Sequence, residues 1–178
     1  MAKLSSISQK FILHWGEMGT RWGVNRTVAQ VHALLYVSPK PLIAEEIATT
    51  LSIARSNVSY SLRELQNWGI IKPVHLLGDR REHYESLQDV WYMFQIVLDE
   101  RKRREVDPTV AVLRECVQEL ERKGDLADAH TRERLQEMLE FFEGATAVYD
   151  EVRRLSLDAI RRLVRSGSRL QKILSSVA

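Results

Sequence analysis

One short segment carries polar side chains in a pattern suited to reading a nucleic acid. Within residues 55–68, Val58, Leu62 and Leu65 recur at helical spacing and predict a helix with one buried face. Asparagine and arginine can hydrogen-bond the edges of adenine and guanine, and serine can contact a base or a phosphate. The exposed positions lack the Glu/Lys alternation of a solvated helix, so they favour contact with DNA. These positions are Ser56, Asn57, Ser59, Tyr60 and Arg63.

Basic residues gather around the same segment. The whole chain has 26 basic and 24 acidic residues, a net charge of +2 that is too small to predict a nucleic-acid partner. Residues 55–81 nevertheless hold five basic side chains against two acidic ones. Arg80 and Arg81 are expected to reach a phosphate or the adjacent minor groove. The five basic residues are Arg55, Arg63, Lys72, Arg80 and Arg81.

The surrounding elements must position these side chains. Gly69 follows the fourth predicted helix, where a left-handed cap suits glycine. A lone hairpin is marginal in water, so we expect the following strands to pack against the helices. Three helices, a tight turn, a fourth helix and a hairpin form a winged helix-turn-helix. Helices are predicted over 4–20, 25–36, 44–51 and 55–68, strands over 70–76 and 81–86, and a turn over 77–80.

The C-terminal half is predicted to be helical throughout. One helix starts near residue 87, Pro108 is expected to force a kink or a restart, and a last stretch covers 127–177 with kinks or ends at Gly144 and 166–168. Apolar residues in that stretch recur at intervals near three and four, close to a coiled-coil seam. One chain cannot cover so much apolar surface, which predicts a homodimer. The seam residues are Leu135, Met138, Phe142, Ala145, Tyr149 and Val152.

The predicted fold is therefore mostly α with a small β-hairpin. A winged helix-turn-helix DNA-binding domain is expected at 1–86, and long dimerisation helices with an effector-binding region at 87–178.

A hydrophobic content of 44% excludes wholesale disorder, and no apolar run approaches the roughly 20 residues that cross a bilayer. Cys116 is the single cysteine, so one chain forms no disulfide. We expect a cytoplasmic protein with no membrane partner.

Aromatic residues of the C-terminal half offer two interpretations. The first assigns them, with Trp15 and Trp22, to the core and the dimer seam. The second is an effector cavity between the DNA-binding half and the dimer helices, where aromatic faces can hold a cation. Its candidate residues are Trp91, Phe94, Phe142 and Tyr149.

Catalytic and metal chemistry find no support in the sequence. It contains no Gly-rich phosphate loop, no His-Glu-x-x-His and no nucleophile beside a plausible base. The five histidines lack metal-ligand spacing. We therefore predict no catalytic residue, no metal and no cofactor. The alternative to DNA binding is a winged-helix module that binds another protein, since winged folds serve both functions.

Several segments resemble one family of regulators. They include Gly16–Gly23, Arg55–Ser59 and Leu77–Arg81, and the chain over about 10–117 resembles the GbsR-like branch of the MarR-type transcriptional regulators. The resemblance implies a homodimeric winged helix-turn-helix that binds a pseudo-palindromic operator and often responds to a small ligand. Relatives of this branch are associated with choline and glycine betaine metabolism, so a quaternary ammonium is one candidate effector. Ala54 departs from the expected Ser cap, and the lost contact costs about 0.5–2 kcal/mol.

Overall fold

The computed structural model describes residues 4–123 and 129–165 of the 178-residue chain. The chain divides into two compact units, Met1–Ile96 and Val97–Ala178. Within the described residues, no helix combines the length and apolar character that crossing a membrane requires.

The first unit contains the predicted helices and strands, with ends shifted by a few residues. Asn25 caps α2, because its side-chain oxygen accepts from the N–H of Thr27 at 2.8 Å. Ser5 caps α1 in the same way through Ser8. The elements are α1 (Ser6–Arg21), α2 (Arg26–Val37), β1 (Leu42–Ile43), α3 (Ala44–Leu51), α4 (Arg55–Asn67), β2 (Ile71–Val74), β3 (His83–Ser86) and the start of α5 (Val90–Arg101).

The sheet has three antiparallel strands rather than the two predicted. β3 lies in the middle and pairs with β2 on one side and with β1 on the other. Leu42 lies opposite Tyr84, and Ile43 lies opposite His83. A strand of two residues gives no periodic signal, so β1 was missed. The predicted bounds of the hairpin strands were also too long.

The core of the first unit lies where α2, α3 and α4 meet. Val31, Ile47 and Val58 are completely buried, one from each helix. α1 packs on α2 at close range, because an added Cβ at Gly19 would lie 2.6 Å from Ala29 Cβ. This core holds α4 by its apolar face and leaves the opposite face open.

The second unit is helical in its described residues. It holds the end of α5, a π-helical segment (Lys102–Val106), α6 (Asp107–Lys123), α7 (Ala129–Arg154) and α8 (Leu157–Arg165). Pro108 lies in the first turn of α6, where proline is tolerated, and it follows directly on the π-helical segment. A helix end was one of the two expectations at Gly144 and is wrong, since α7 runs through this residue; the alternative, a kink, stays a prediction. The predicted break at 166–168 lies outside the described residues.

Candidate nucleic-acid interface

Helix α4 presents one buried face and one exposed polar face. Val58, Leu62 and Leu65 are buried, which confirms the predicted inward face. Ser61 is also buried, and its hydroxyl donates to the Asn57 carbonyl at 2.8 Å, so this polar group is satisfied within the helix. All six candidate contact residues of the helix are exposed: Arg55, Ser56, Asn57, Ser59, Tyr60 and Arg63.

A tight turn sets the direction in which α4 leaves α3. Ser52 adopts a left-handed backbone with φ of 54°, and the Ile53 N–H donates to the Ala48 carbonyl at 3.1 Å. Ala54 then occupies the N-cap position and gives no side-chain cap. The Asn57 N–H donates to the Ala54 carbonyl at 3.0 Å, while the N–H groups of Arg55 and Ser56 keep their capacity to donate to an anion such as a phosphate.

The arginines of α4 differ in their ion pairing. Arg55 contacts the Glu45 carboxylate at 2.5 Å, although both side chains are largely exposed. Arg63 is exposed and forms no ion pair within residues 4–123 and 129–165. The Arg63 guanidinium therefore keeps all its donors available for a base or a phosphate.

The wing consists of β2, β3 and the loop between them (residues 71–86). Its loop contains two neighbouring arginines that differ in their contacts. The Arg81 guanidinium donates to Asp79 at 2.6 Å, and the Arg81 N–H donates to the same carboxylate at 3.0 Å. These hydrogen bonds hold the pKa of Asp79 well below its usual range. Arg81 is thus folded onto its own loop. Arg80 is exposed and has no ion pair in the described part of the chain.

Leu77 is a candidate contact residue that sequence reasoning missed. It lies in the loop between β2 and β3 and is fully exposed, next to Gly78 with its φ of 84°. Some proteins insert apolar side chains into the minor groove. A leucine inside a predicted turn is the signal that the sequence contains, because turns usually lie at the surface.

The four effector candidates are divided between the two units. Trp91 and Phe94 belong to the first unit, and Phe94 is 50% exposed. Phe142 and Tyr149 belong to the second unit, where they line an apolar cavity of about 230 Å³ with Leu98.

The hydroxyl of Tyr149 is held by an ion pair. It donates to Asp99, which also accepts from the Arg153 guanidinium at 3.0 Å. Burial and the Asp99 hydrogen bond raise the pKa of Tyr149, so the phenol stays neutral.

In the described ranges, no group of three His, Cys, Asp or Glu residues is arranged to hold a metal ion.

Comparison with known proteins finds a family model that is similar to the winged segment. Residues 22–82 match a model described as the MarR family. The matched segment runs from the end of α1 to the wing and includes α4, Arg80 and Arg81. The match covers 61 of the 178 residues, about a third of the chain.

Two curated proteins are similar to this chain beyond the matched segment. The HTH-type transcriptional repressor GbsR of Bacillus subtilis (strain 168) is 23% identical over 138 residues, which cover 76% of each chain. The putative HTH-type transcriptional regulator YvaV of the same organism is 27% identical over 84 residues, 47% of this chain and 48% of the relative. The expected resemblance to the GbsR-like branch is confirmed.

A solved structure supports the fold. The crystal structure of a transcriptional regulator aligns with a TM-score of 0.61 and 22% identity, and the alignment covers 83% of this chain and 95% of the other. The predicted fold class, a winged helix-turn-helix with a small sheet and long C-terminal helices, is therefore confirmed.

Proposed function

We propose that this chain is a sequence-specific, double-stranded DNA-binding transcriptional regulator. It acts as a homodimer on a pseudo-palindromic operator, with α4 of each subunit in a major groove. The observation that carries the proposal is the surface of α4, where six DNA-competent side chains are exposed while Val58, Leu62 and Leu65 are buried. Similarity to a protein named a transcriptional repressor supports it.

The side chains of α4 divide into two roles. Asn57 and Arg63 carry groups that can pair bidentately with adenine and guanine, so they are assigned to base reading. Arg55, Ser56, Ser59 and Tyr60 are assigned to the phosphate backbone or to single base edges, which fix the helix in the groove. Arg55 must first exchange its Glu45 partner for a phosphate.

The wing supplies a second contact. Arg80 has no competing carboxylate in the described residues and reaches a phosphate or the minor groove, while Arg81 stays bound to Asp79 until DNA displaces it. Residues 1–86 therefore contact DNA in this proposal, and 87–178 serve dimerisation. With two-fold symmetry, the half-sites lie about 10–10.5 base pairs apart or a multiple of this spacing. A chromosomal partner agrees with a cytoplasmic location.

Control by a small molecule is the second part of the proposal. The apolar cavity beside Phe142 and Tyr149 can hold a small ligand against two aromatic rings. Trp91 and Phe94 stay candidate contacts.

Titration with choline, followed by calorimetry and by the melting temperature, tests the quaternary ammonium form of this hypothesis. Absence of both heat and a melting shift rejects choline as the effector.

Fluorescence anisotropy tests the DNA partner directly. The full chain is titrated onto labelled DNA from upstream of its own gene and onto a scrambled duplex, each at two salt concentrations. We expect tighter binding to the upstream DNA and weaker binding at high salt, because phosphate contacts release counterions. No binding to either duplex at low salt rejects the proposal and favours the protein-interaction module.

A further inference from the structure

The loop of the wing carries a leucine that its own subunit leaves uncovered. Among the large apolar side chains that the structure describes, Leu77 is the most exposed, and Ile7 follows at 80%. A leucine left in water forgoes the stabilisation that burial of its side chain supplies. The Leu77 side chain is therefore available to a partner outside the subunit.

A defined turn holds Leu77 outward. The Asp79 N–H donates to the Leu76 carbonyl at 3.1 Å, and Gly78 has a φ of 84°. Both features are typical of a type II turn, in which Leu77 occupies the first corner and Gly78 the second. Glycine adopts the left-handed backbone of the second corner without steric cost. The backbone, and not packing of its side chain, therefore sets the position of Leu77.

Side-chain contacts brace the same loop. The Arg81 Nε donates to the Asp79 carboxylate at 2.9 Å, and the Arg81 carbonyl lies 3.0 Å from His83 Nδ1. His83 is buried and begins β3, so these contacts tie the loop to the sheet. A braced loop gives up little conformational freedom when it binds a partner, which favours affinity.

Charges on the wing favour an anionic partner. The wing has three carboxylates, and each has a partner within the wing. The partners are Arg81 for Asp79 (2.6 Å), Tyr84 for Glu82 (2.6 Å) and Lys72 for Glu85 (3.0 Å). Arg80 forms no ion pair in the described part of the chain and lies three residues after Leu77. The loop thus presents an available guanidinium near an available apolar side chain.

We propose that Leu77 enters the minor groove of the operator and selects base pairs that lack the guanine amino group. In the minor groove, A·T and T·A present only acceptors, whereas G·C adds the N2 amino donor. An apolar side chain placed over G·C removes water from this donor and offers no hydrogen bond in return, which costs binding free energy. The inference rests on the proposed function, because it requires that α4 and the wing bind one duplex.

Leu77 and Arg80 then contribute to binding in different ways. Arg80 is attracted by the negative potential of the groove and of the phosphates, so its contribution falls as the salt concentration rises. The Leu77 contact involves no charge and releases no counterion, so its contribution should not change the salt dependence. Base selectivity beside the half-sites therefore comes from an uncharged residue of the wing.

Selection from a library of randomised duplexes locates the base pairs concerned. The full-length unmodified chain, Leu77→Ala and Leu76→Ala select from the same library. Leu76→Ala is the matched control, since Leu76 is the neighbouring leucine and is 42% exposed. We expect the unmodified chain and Leu76→Ala to enrich A·T or T·A symmetrically beside the half-sites. Leu77→Ala should lose this enrichment and keep the sequence that α4 reads. Melting temperatures check that the variants are folded.

Inosine identifies the groove in which these base pairs are read. An I·C pair lacks the N2 amino group, so its minor groove resembles that of A·T while its major groove resembles that of G·C. By anisotropy, the unmodified chain should bind A·T and I·C duplexes equally and the G·C duplex roughly 10-fold more weakly, as for one unfavourable base pair. Leu77→Ala should bind all three duplexes equally, with an unchanged slope of log K against log salt.

A second variant separates the leucine from the neighbouring arginine. Arg80→Ala should bind every duplex more weakly but keep the preference of A·T and I·C over G·C. If Arg80→Ala loses this preference and Leu77→Ala keeps it, the arginine reads the groove and the inference is wrong. Binding of the I·C duplex as weak as that of the G·C duplex indicates major-groove reading and also overturns it.

The outcomes for Leu77 and for the proposed function are separable. If the unmodified chain enriches a sequence and Leu77→Ala enriches the same sequence with equal affinity, Leu77 makes no contact and the DNA-binding regulator is unaffected. If the unmodified chain enriches no sequence from the library, the proposed function fails and the role of Leu77 fails with it.

Discussion

At the scale of the residue, the four arginines of the candidate interface differ in whether they form an ion pair within the subunit. Arg63 and Arg80 have no ion pair among the described residues, whereas Arg55 and Arg81 contact Glu45 and Asp79. Exposed ion pairs contribute about 0–1 kcal/mol, so Arg55 and Arg81 can exchange partners at small cost. The unpaired arginines are therefore the clearer probes of the interface.

Replacement of Arg63 and of Arg80 by alanine should have different effects on DNA binding. Arg63→Ala should relax sequence preference, with a loss of about 1–3 kcal/mol on the operator. Arg80→Ala should weaken binding to all sequences and reduce the slope of log K against log salt by about 1. Anisotropy titrations on matched and scrambled duplexes over a salt series measure both. If Arg63→Ala leaves binding unchanged on every sequence, α4 is not the reading helix.

His32 should make stability depend on pH. Burial lowers the pKa of His32 to about 4, below the ordinary value of 6.5, and its Nε2 lies 3.3 Å from Ser86 Oγ. The unfolded chain binds a proton on this residue between those values while the folded chain does not. Proton uptake by His32 therefore favours the unfolded chain as the pH falls from about 6.5 towards 4. The free energy of unfolding should decrease over this range by an amount on the order of 3 kcal/mol, and above pH 7 this loss is absent.

Urea unfolding at pH 5 and pH 7.5 measures this effect. His32→Gln should show a smaller loss of stability on acidification than the unmodified chain, whatever its absolute stability. Exposed His14→Gln is the matched control and should keep the full loss. An equal loss in all three proteins contradicts the assignment.

At the scale of the element, the contact between α1 and α2 depends on glycine. Alanine normally stabilises a helix over glycine by about 1 kcal/mol, but at Gly19 the added Cβ would lie 2.6 Å from Ala29 Cβ. We expect Gly19→Ala to lower stability by about 1–3 kcal/mol, since the helices must separate.

Two further variants identify the cause. An added Cβ at Gly16 meets the flexible Gln30 side chain at 2.7 Å, so Gly16→Ala should cost less than Gly19→Ala. Ala29→Gly in the Gly19→Ala background should restore part of the loss. Thermal unfolding by circular dichroism ranks the variants. A Gly19→Ala protein as stable as the unmodified chain contradicts the close contact.

Elements with a clear apolar period could be predicted from the sequence. Short elements, and elements without an apolar period, could not. Val58, Leu62 and Leu65 are separated by four and three residues, so the buried and exposed faces of α4 followed directly. β1 has two residues and is defined only by its pairing with β3. The π-helical segment Lys102–Val106 is charged and has no apolar period.

The C-terminal seam shows a different limit. The predicted seam mixed residues of two apolar stripes of α7: Leu135, Phe142 and Tyr149 are half-buried, while Met138, Ala145 and Val152 are exposed. Both stripes have intervals of three and four, and they are one residue apart. Only packing against α6 distinguishes them, and one sequence does not contain that information.

At the scale of the whole molecule, the proposed dimer links stability to protein concentration. If two copies associate as in the proposed function, the melting temperature should rise with protein concentration, because mass action favours the associated folded state. Val148 is an exposed apolar residue of α7, so Val148→Glu should weaken this dependence, and Val112→Glu at an exposed valine of α6 is the control. Differential scanning calorimetry over a dilution series measures the effect. A melting temperature independent of concentration in the unmodified chain contradicts a coupled dimer.

The short strand β1 has a consequence for the DNA that this molecule can accept. It ends where α3 begins and is hydrogen-bonded to β3, so the wing is tied to the helix that packs against α4. This pairing restrains the distance between α4 and the wing before binding. The DNA duplex must therefore bend or change its groove width to contact both α4 and the wing. The energy of that deformation depends on base sequence. Base pairs that no side chain touches should therefore influence affinity through their stiffness.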